Sequence, residues 1–361
     1  MTRGKGRPRS VPWLRYGLWL ALPLALAWAM RDVSVEQVLG ALGELTLREV
    51  VLLAVVNVLV VLAFSGRWWA LLRGMGRRLP YLALSGYRVA ALAVSYFTPG
   101  THFGGEPLQV HLLHRRHGVA VPVATAAVVL DKAIELIANF AFLAIGLTTV
   151  VRLGVEPPGT TLALEIASLS LAIVPTAYVI AARTGRRPGS WIAARLGWGR
   201  GGAAWQMRLL RWLKASEREV SEAARQSPAS LAGAAAFSVL SWSLLLMEWG
   251  LVMRFLDIVL SPAQMIAVVT ASRLAQFVPF PGAAGALEAS LVLALTTLGV
   301  SSAQALGLAV VIRFRDVAFG AIGLWLGGWL TAARPGTDRV EIGHGDDPAG
   351  ALENEGGADD S

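Results

Sequence analysis

Apolar residues run through the chain in long blocks, interrupted by short clusters of arginine and by pairs of Pro and Gly. A stretch of about 18 to 20 largely uncharged residues is long enough for a helix to cross a bilayer. On that measure residues 13–30, 49–64, 121–151, 161–182, 231–256 and 303–331 are predicted full spans. Two further apolar segments, 81–118 and 262–299, carry Pro and Gly in their middles. Each is expected to enter the membrane, break and return on the same side. The predicted fold is therefore all-α: a polytopic membrane protein of about six full spans plus two re-entrant hairpins.

Charge sets the orientation. Basic residues crowd the start of the chain (Arg3, Lys5, Arg7, Arg9, Arg15), residues 65–80 (Arg67, Arg73, Arg77, Arg78) and residues 183–225, where ten basics face Glu217, Glu219 and Glu222. The re-entrant reading of 81–118 puts all three blocks on one side, the positive-inside pattern of a plasma-membrane protein with both termini cytoplasmic. It also makes the two hairpins open to opposite sides. Arg67, followed by Trp68 and Trp69, is read as an interface marker beside an aromatic belt.

With 55% hydrophobic and 16% charged residues, the net charge of +8 is expected to orient the protein and meet anionic lipid, not to bind nucleic acid. The absence of cysteine excludes disulfides and thiolate chemistry. The basic start and apolar stretch to Met30 read as an uncleaved first span in preference to a signal peptide. Residues 1–331 form the expected transmembrane domain, and 332–361, rich in Gly and acids, a disordered cytoplasmic tail. Within a cytoplasmic linker at about 183–228, Trp205, Leu209, Trp212, Leu213 and Val220 recur near helical spacing. That suits a helix on the inner membrane surface, with a linker packed on its neighbours as the alternative.

The most informative feature is an internal repeat. Pro99-Gly100, five residues and Glu106 recur as Pro281-Gly282, five residues and Glu288, an offset of 182. At the same offset Ala127-Val128-Val129-Leu130 meets Ala309-Val310-Val311-Ile312, and the cluster Asp131, Lys132, Glu135 falls opposite Arg313, Arg315, Asp316. The copies span about 50–151 and 231–331. Their opposite orientations give the inverted-repeat plan found in secondary transporters.

Pro and Gly break helices, and broken backbone at membrane depth survives only beside protein or a water-filled cavity. The breaks at Pro99, Gly100, Gly104, Gly105 and at Pro281, Gly282, Gly285 thus predict a cavity, with half-helices starting near Glu106 and Glu288 aimed at it. A carboxylate in the bilayer costs about 2.5 to 3.5 kcal/mol on insertion scales. Glu106 and Glu288 should therefore cap their half-helices, pair with a cation such as Lys132 or Arg313, or serve a cationic headgroup or a coupling proton. His102, His111, His114 and His117 cluster with Arg115 and Arg116; phosphate contact by His111, His114, Arg115 and Arg116 is favoured there over a metal site. Neither a metal nor a cofactor is expected.

The stretches Thr98–Leu108, Val128-Val129-Leu130-Asp131-Lys132 and Pro279–Glu288 resemble the flippase-like membrane family that includes the transmembrane region of lysylphosphatidylglycerol synthase. The likeness covers most of residues 13–331. It implies paired re-entrant helices and a role in translocating lipids, in the best-known branch aminoacylated phosphatidylglycerol. Two departures qualify it: about 30 residues follow the last span, too few for an aminoacyl-transferase domain, and Gln109 and Leu287 stand where a basic residue is expected. The expected function is a flippase or scramblase for a phospholipid or polyprenyl-linked glycolipid, not an enzyme. The alternatives are a membrane glycosyl- or phosphotransferase and a non-transporting accessory subunit of an envelope-lipid pathway. Expected partners are membrane lipids and enzymes of envelope-lipid or glycan biosynthesis, with oligomerisation left open.

Overall fold

The computed structural model describes residue 43 and residues 45–98, 104–154, 161–196, 204–278, 283 and 285–332. Pro99, Gly100, His102, Pro281, Gly282, the expected first span and the tail from residue 333 lie outside the described residues. Among the described residues all regular structure is helical: α1 (Leu47–Gly74), α2 (Tyr81–Phe97), α3 (Glu106–His117), α4 (Val121–Leu153), α5 (Thr161–Arg183), α6 (Pro188–Arg195), α7 (Ala204–Gln226), α8 (Pro228–Phe255), α9 (Pro262–Ala275), α10 (Ala286–Thr297) and α11 (Ser302–Ala332).

Local chemistry sets the boundaries. Thr46 and Glu49 close a capping box at the start of α1, as Ser261 and Gln264 do for α9. Proline occupies the first turn of α3, α4, α6, α8 and α9, where its missing N–H breaks no helical bond. Left-handed Gly118 and Gly154 stop α3 and α4.

Three helices, α1, α4 and α8, are long and apolar enough to cross a membrane. They coincide with the predicted spans at 49–64, 121–151 and 231–256. The predicted span 303–331 is continuous helix, but Arg313, Arg315 and Asp316 interrupt its apolar character. In α5 the apolar stretch is the shorter Leu169–Arg183. Large apolar side chains on the outside, among them Leu52, Val55, Ile145, Val239 and Trp325, belong against acyl chains.

Both interrupted segments are helix, break and helix, and α3 and α10 have 12 residues each. Such a helix rises about 18 Å, short of the roughly 30 Å hydrocarbon core. Helix starts recur along the chain: Leu47 and Pro228, Tyr81 and Pro262, and Val121 and Ser302 are each 181 apart, Glu106 and Ala286 180 apart. The packing recurs as well, for α2 lies on α11 as α9 lies on α4, while α1 packs on α8.

The linker helix α7 packs on its neighbours through its second half. Trp205 and Trp212 are exposed, whereas Val220, Ala223 and Ala224 are buried against α4 and α5. Buried Glu217 accepts the backbone N–H groups of Gly189 (2.6 Å) and Ser190 (2.8 Å), capping α6.

The two exchanged contacts are made at glycine. A Cβ on Gly323 of α11 would stand 2.5 Å from the Val89 carbonyl oxygen and 2.6 Å from Ala93 Cβ on α2; one on Gly146 of α4 would meet Thr270 Oγ1 of α9 at 1.8 Å. Small residues let membrane helices approach this closely. Gly323→Val should cost about 1 to 3 kcal/mol through overpacking. Gly307→Ala, with nothing within 4 Å, should instead gain about 1 kcal/mol from helix propensity. Thermal unfolding of the detergent-solubilised variants checks both.

Candidate functional site

Burying charge among apolar helices is tolerable only when each group finds a partner. The chain meets this demand with two ionic networks. The first joins α1, α2, α3 and α4. Arg67 donates from Nε to Asp131 Oδ1 (2.7 Å) and from Nη2 to Glu135 Oε2 (2.9 Å). Arg88 reaches the other Asp131 oxygen at 2.5 Å. Lys132 Nζ bridges Glu135 Oε1 (2.9 Å) and Glu106 Oε1 (3.1 Å), and Glu106 Oε2 accepts the Gly104 N–H at 2.8 Å. The break itself is drawn tight, with the Gly105 N–H on Ser95 Oγ at 2.9 Å and no room for a Cβ, which would overlap the Ala91 carbonyl oxygen.

Arg67 is therefore not an interface marker. Helix α1 continues through Gly74, ten residues past the predicted end of that span, and carries Arg67 and Trp68 into the interior with 1% and 0% exposure. The acidic pair on α4 holds the guanidinium there.

The second network joins α1, α2, α8, α10 and α11. Arg313 pairs with Glu288 through Nε (2.6 Å) and with the Tyr96 hydroxyl (2.9 Å). Arg315 grips Asp316 Oδ1 with Nε (2.9 Å) and Nη2 (2.7 Å), and donates from Nη1 to Glu248 Oε1. Asn57 Nδ2 reaches the same Glu248 oxygen at 3.1 Å. Glu106 and Glu288 thus occupy matching places, each in the first turn after a break and each paired with a cation 25 or 26 residues on. Gly285, at φ 77°, starts α10 in the left-handed region that favours glycine.

A cavity of about 230 Å3 opens beside the second network. Asn57, Ser95, Tyr96, Glu248, Arg273, Gln276, Arg315 and Asp316 form its polar side; Val60, Val61, Leu92, Leu245 and Phe319 are among its apolar walls. Leu287, in the first turn of α10, also borders it. The predicted site residues therefore divide. Arg315 and Asp316 line the cavity, Arg313, Glu288 and Gly285 are not among its lining residues, and Gly104, Gly105, Glu106, Asp131, Lys132 and Glu135 belong to the first network and do not line it either.

His111, His114, Arg115 and Arg116 sit together on α3. His114 Nδ1 meets the Val119 carbonyl at 2.9 Å and Arg116 donates to the Leu330 carbonyl, so these two fix the turn after α3 and tie its end to α11. Among the described residues no three His, Asp or Glu converge as a metal-ligand set.

Arg88, Glu248 and Arg273 went unread in the sequence, yet each is the lone charge in a long apolar stretch, which is the signal that finds them. The family model for the lysylphosphatidylglycerol synthase TM region matches residues 16–323, taking in both networks and every polar residue of the cavity. The chain belongs to that family. No curated protein matches the chain. As a member of the lysylphosphatidylglycerol synthase TM region family, it is a membrane lipid-related protein.

Removing one partner of a buried pair leaves the other charge stranded, at a cost of about 3 to 5 kcal/mol. Arg67→Gln, which leaves Asp131 to Arg88 alone and Glu135 to Lys132 alone, so that three acids face two cations, should lower the unfolding temperature in detergent markedly. Arg218→Gln, which breaks an exposed pair with Glu222 on α7, should leave it unchanged.

Proposed function

We propose that the protein carries a phospholipid or polyprenyl-linked glycolipid between the leaflets of the plasma membrane, as a flippase or scramblase. The observation that supports this most directly is the cavity, in which the charged side chains of α8, α9 and α11 face a lining that is otherwise mostly apolar, drawn from α1, α2, α8 and α11. Such a surface matches an amphipathic molecule, its headgroup on the ions and its chains leaving across the apolar side.

The recurrent helices support a carrier of this kind. Two pairs of shorter helices, α2 with α3 and α9 with α10, are read as re-entrant hairpins, and the positive-inside pattern of the basic blocks supports opposite orientations for them. Mutual packing of α1 on α8, and of each copy's hairpin helix on the other copy's long helix, provides two interlocked bodies that can rock about the cavity between them. Glu106, Asp131, Lys132 and Glu135 then stiffen one body, while Glu288, Arg313, Arg315 and Asp316 hold the wall that meets cargo.

Transport of fluorescent lipids in proteoliposomes tests the reading. Asp316→Asn, which keeps the shape and removes the charge, should slow translocation by about tenfold, or about 1.4 kcal/mol in the barrier. Glu106→Gln, off the cavity, should reduce thermal stability more than rate. Equal rates for wild type and Asp316→Asn, with both folded, would remove the charged wall from the mechanism.

A further inference from the structure

The polar groups of the cavity are unequally used. Arg315 spends Nε, Nη1 and Nη2 on Asp316 and Glu248. Arg273, the other cation on the wall, has no carboxylate at ion-pair distance among the described residues. Its contacts are Gln276 Oε1, at a long 3.4 Å from Nη1, and the face of Trp242, 5.0 Å from the guanidinium carbon. Stacking on an indole fixes the plane of an arginine while leaving its edge donors free. The acids are half used as well. Both bonds to Glu248 fall on Oε1, and both bonds to Asp316 fall on Oδ1. Neither Glu248 Oε2 nor Asp316 Oδ2 accepts a hydrogen bond among the described residues.

The cavity thus presents open donors on one cation and open acceptors on two carboxylates. Its four ionised residues, Glu248, Arg273, Arg315 and Asp316, sum to zero. A purely anionic headgroup would bring its charge against the two acids, and a purely cationic one would meet Arg273. In a low-dielectric site either leaves an uncompensated charge. A ligand with one anionic and one cationic group satisfies both sets and keeps the site neutral. The volume of about 230 Å3 lies just under the roughly 300 to 1,000 Å3 of pockets that enclose whole drug-sized ligands, which fits a headgroup with its chains outside.

We infer that the cavity binds the headgroup of a zwitterionic phospholipid, its phosphate on the free edge of Arg273 and its ammonium on the free oxygens of Glu248 and Asp316. This rests on the lipid-carrier reading of the same cavity. Phosphodiester on guanidinium and ammonium on carboxylate are both charge-assisted hydrogen bonds, the strong kind.

Native mass spectrometry of the purified full chain, equilibrated in detergent with equimolar phosphatidylethanolamine, phosphatidylglycerol and phosphatidic acid, tests it. Wild type should retain phosphatidylethanolamine over each anionic lipid by at least about fivefold. Arg273→Gln should abolish that preference and Arg273→Lys should keep most of it, while Asp316→Asn should shift retention toward phosphatidylglycerol. Anionic lipid retained equally or better by wild type, no lipid retained at all, or a preference indifferent to Arg273→Gln would overturn the assignment. So would displacement of the lipid by water-soluble glycerophosphoethanolamine as readily as by phosphatidylethanolamine. An intact preference with no lipid movement in proteoliposomes would instead remove the carrier reading and leave the headgroup site standing.

Discussion

Ionised groups at membrane depth must be matched, and the architecture is arranged around that demand. Arg67, Arg88 and Lys132 pair with Asp131, Glu135 and Glu106, Arg313 pairs with Glu288, and Arg315 with Glu248 and Asp316; Arg273 instead stacks on Trp242. Each network draws its members from at least four helices, so the ionic bonds specify which helices meet as well as neutralising their charges. Apolar packing alone discriminates poorly between helices in lipid, because acyl chains are as apolar as leucine. Here the discrimination comes from Asp131 held by two arginines, and from Gly146 and Gly323, where the backbones draw close.

The two networks differ in a way that bears on function. In the first, both oxygens of Asp131, Glu135 and Glu106 accept a donor, so its acids are saturated. In the second, each of Glu248 and Asp316 binds through one oxygen only, and the cavity lies against them. A saturated cluster resists rearrangement, whereas a half-satisfied one has capacity for a ligand.

Much of this was legible in the residues. The interrupted segments, the repeat offset and the pairing of Glu106 with Lys132 and Glu288 with Arg313 follow from helix-breaking residues and from the cost of lone carboxylates. What escaped was tertiary. Arg67 beside Trp68 and Trp69 looks like the end of a span, because only the acids 64 and 68 residues further on explain its burial. Arg273 and Glu248 stand out as lone charges, but their meeting across a cavity depends on how α8, α9 and α11 pack. Nor do single residues reveal the division of the predicted site. Asp131 and Arg313 stand 182 residues apart with opposite charge, and only the fold shows that Arg315 and Asp316, and not Asp131 or Lys132, border the cavity.

The central claim is that the charged cavity communicates with both faces of the membrane. Because the chain has no cysteine, a single reporter thiol is unambiguous, and Phe319→Cys or Gln276→Cys places one on the cavity lining. In oriented vesicles both should react with a charged, membrane-impermeant thiol reagent added to either side, while Ala124→Cys, at 0% exposure, should stay unreacted. Labelling of the cavity thiols from one side alone, or from neither, would contradict the account.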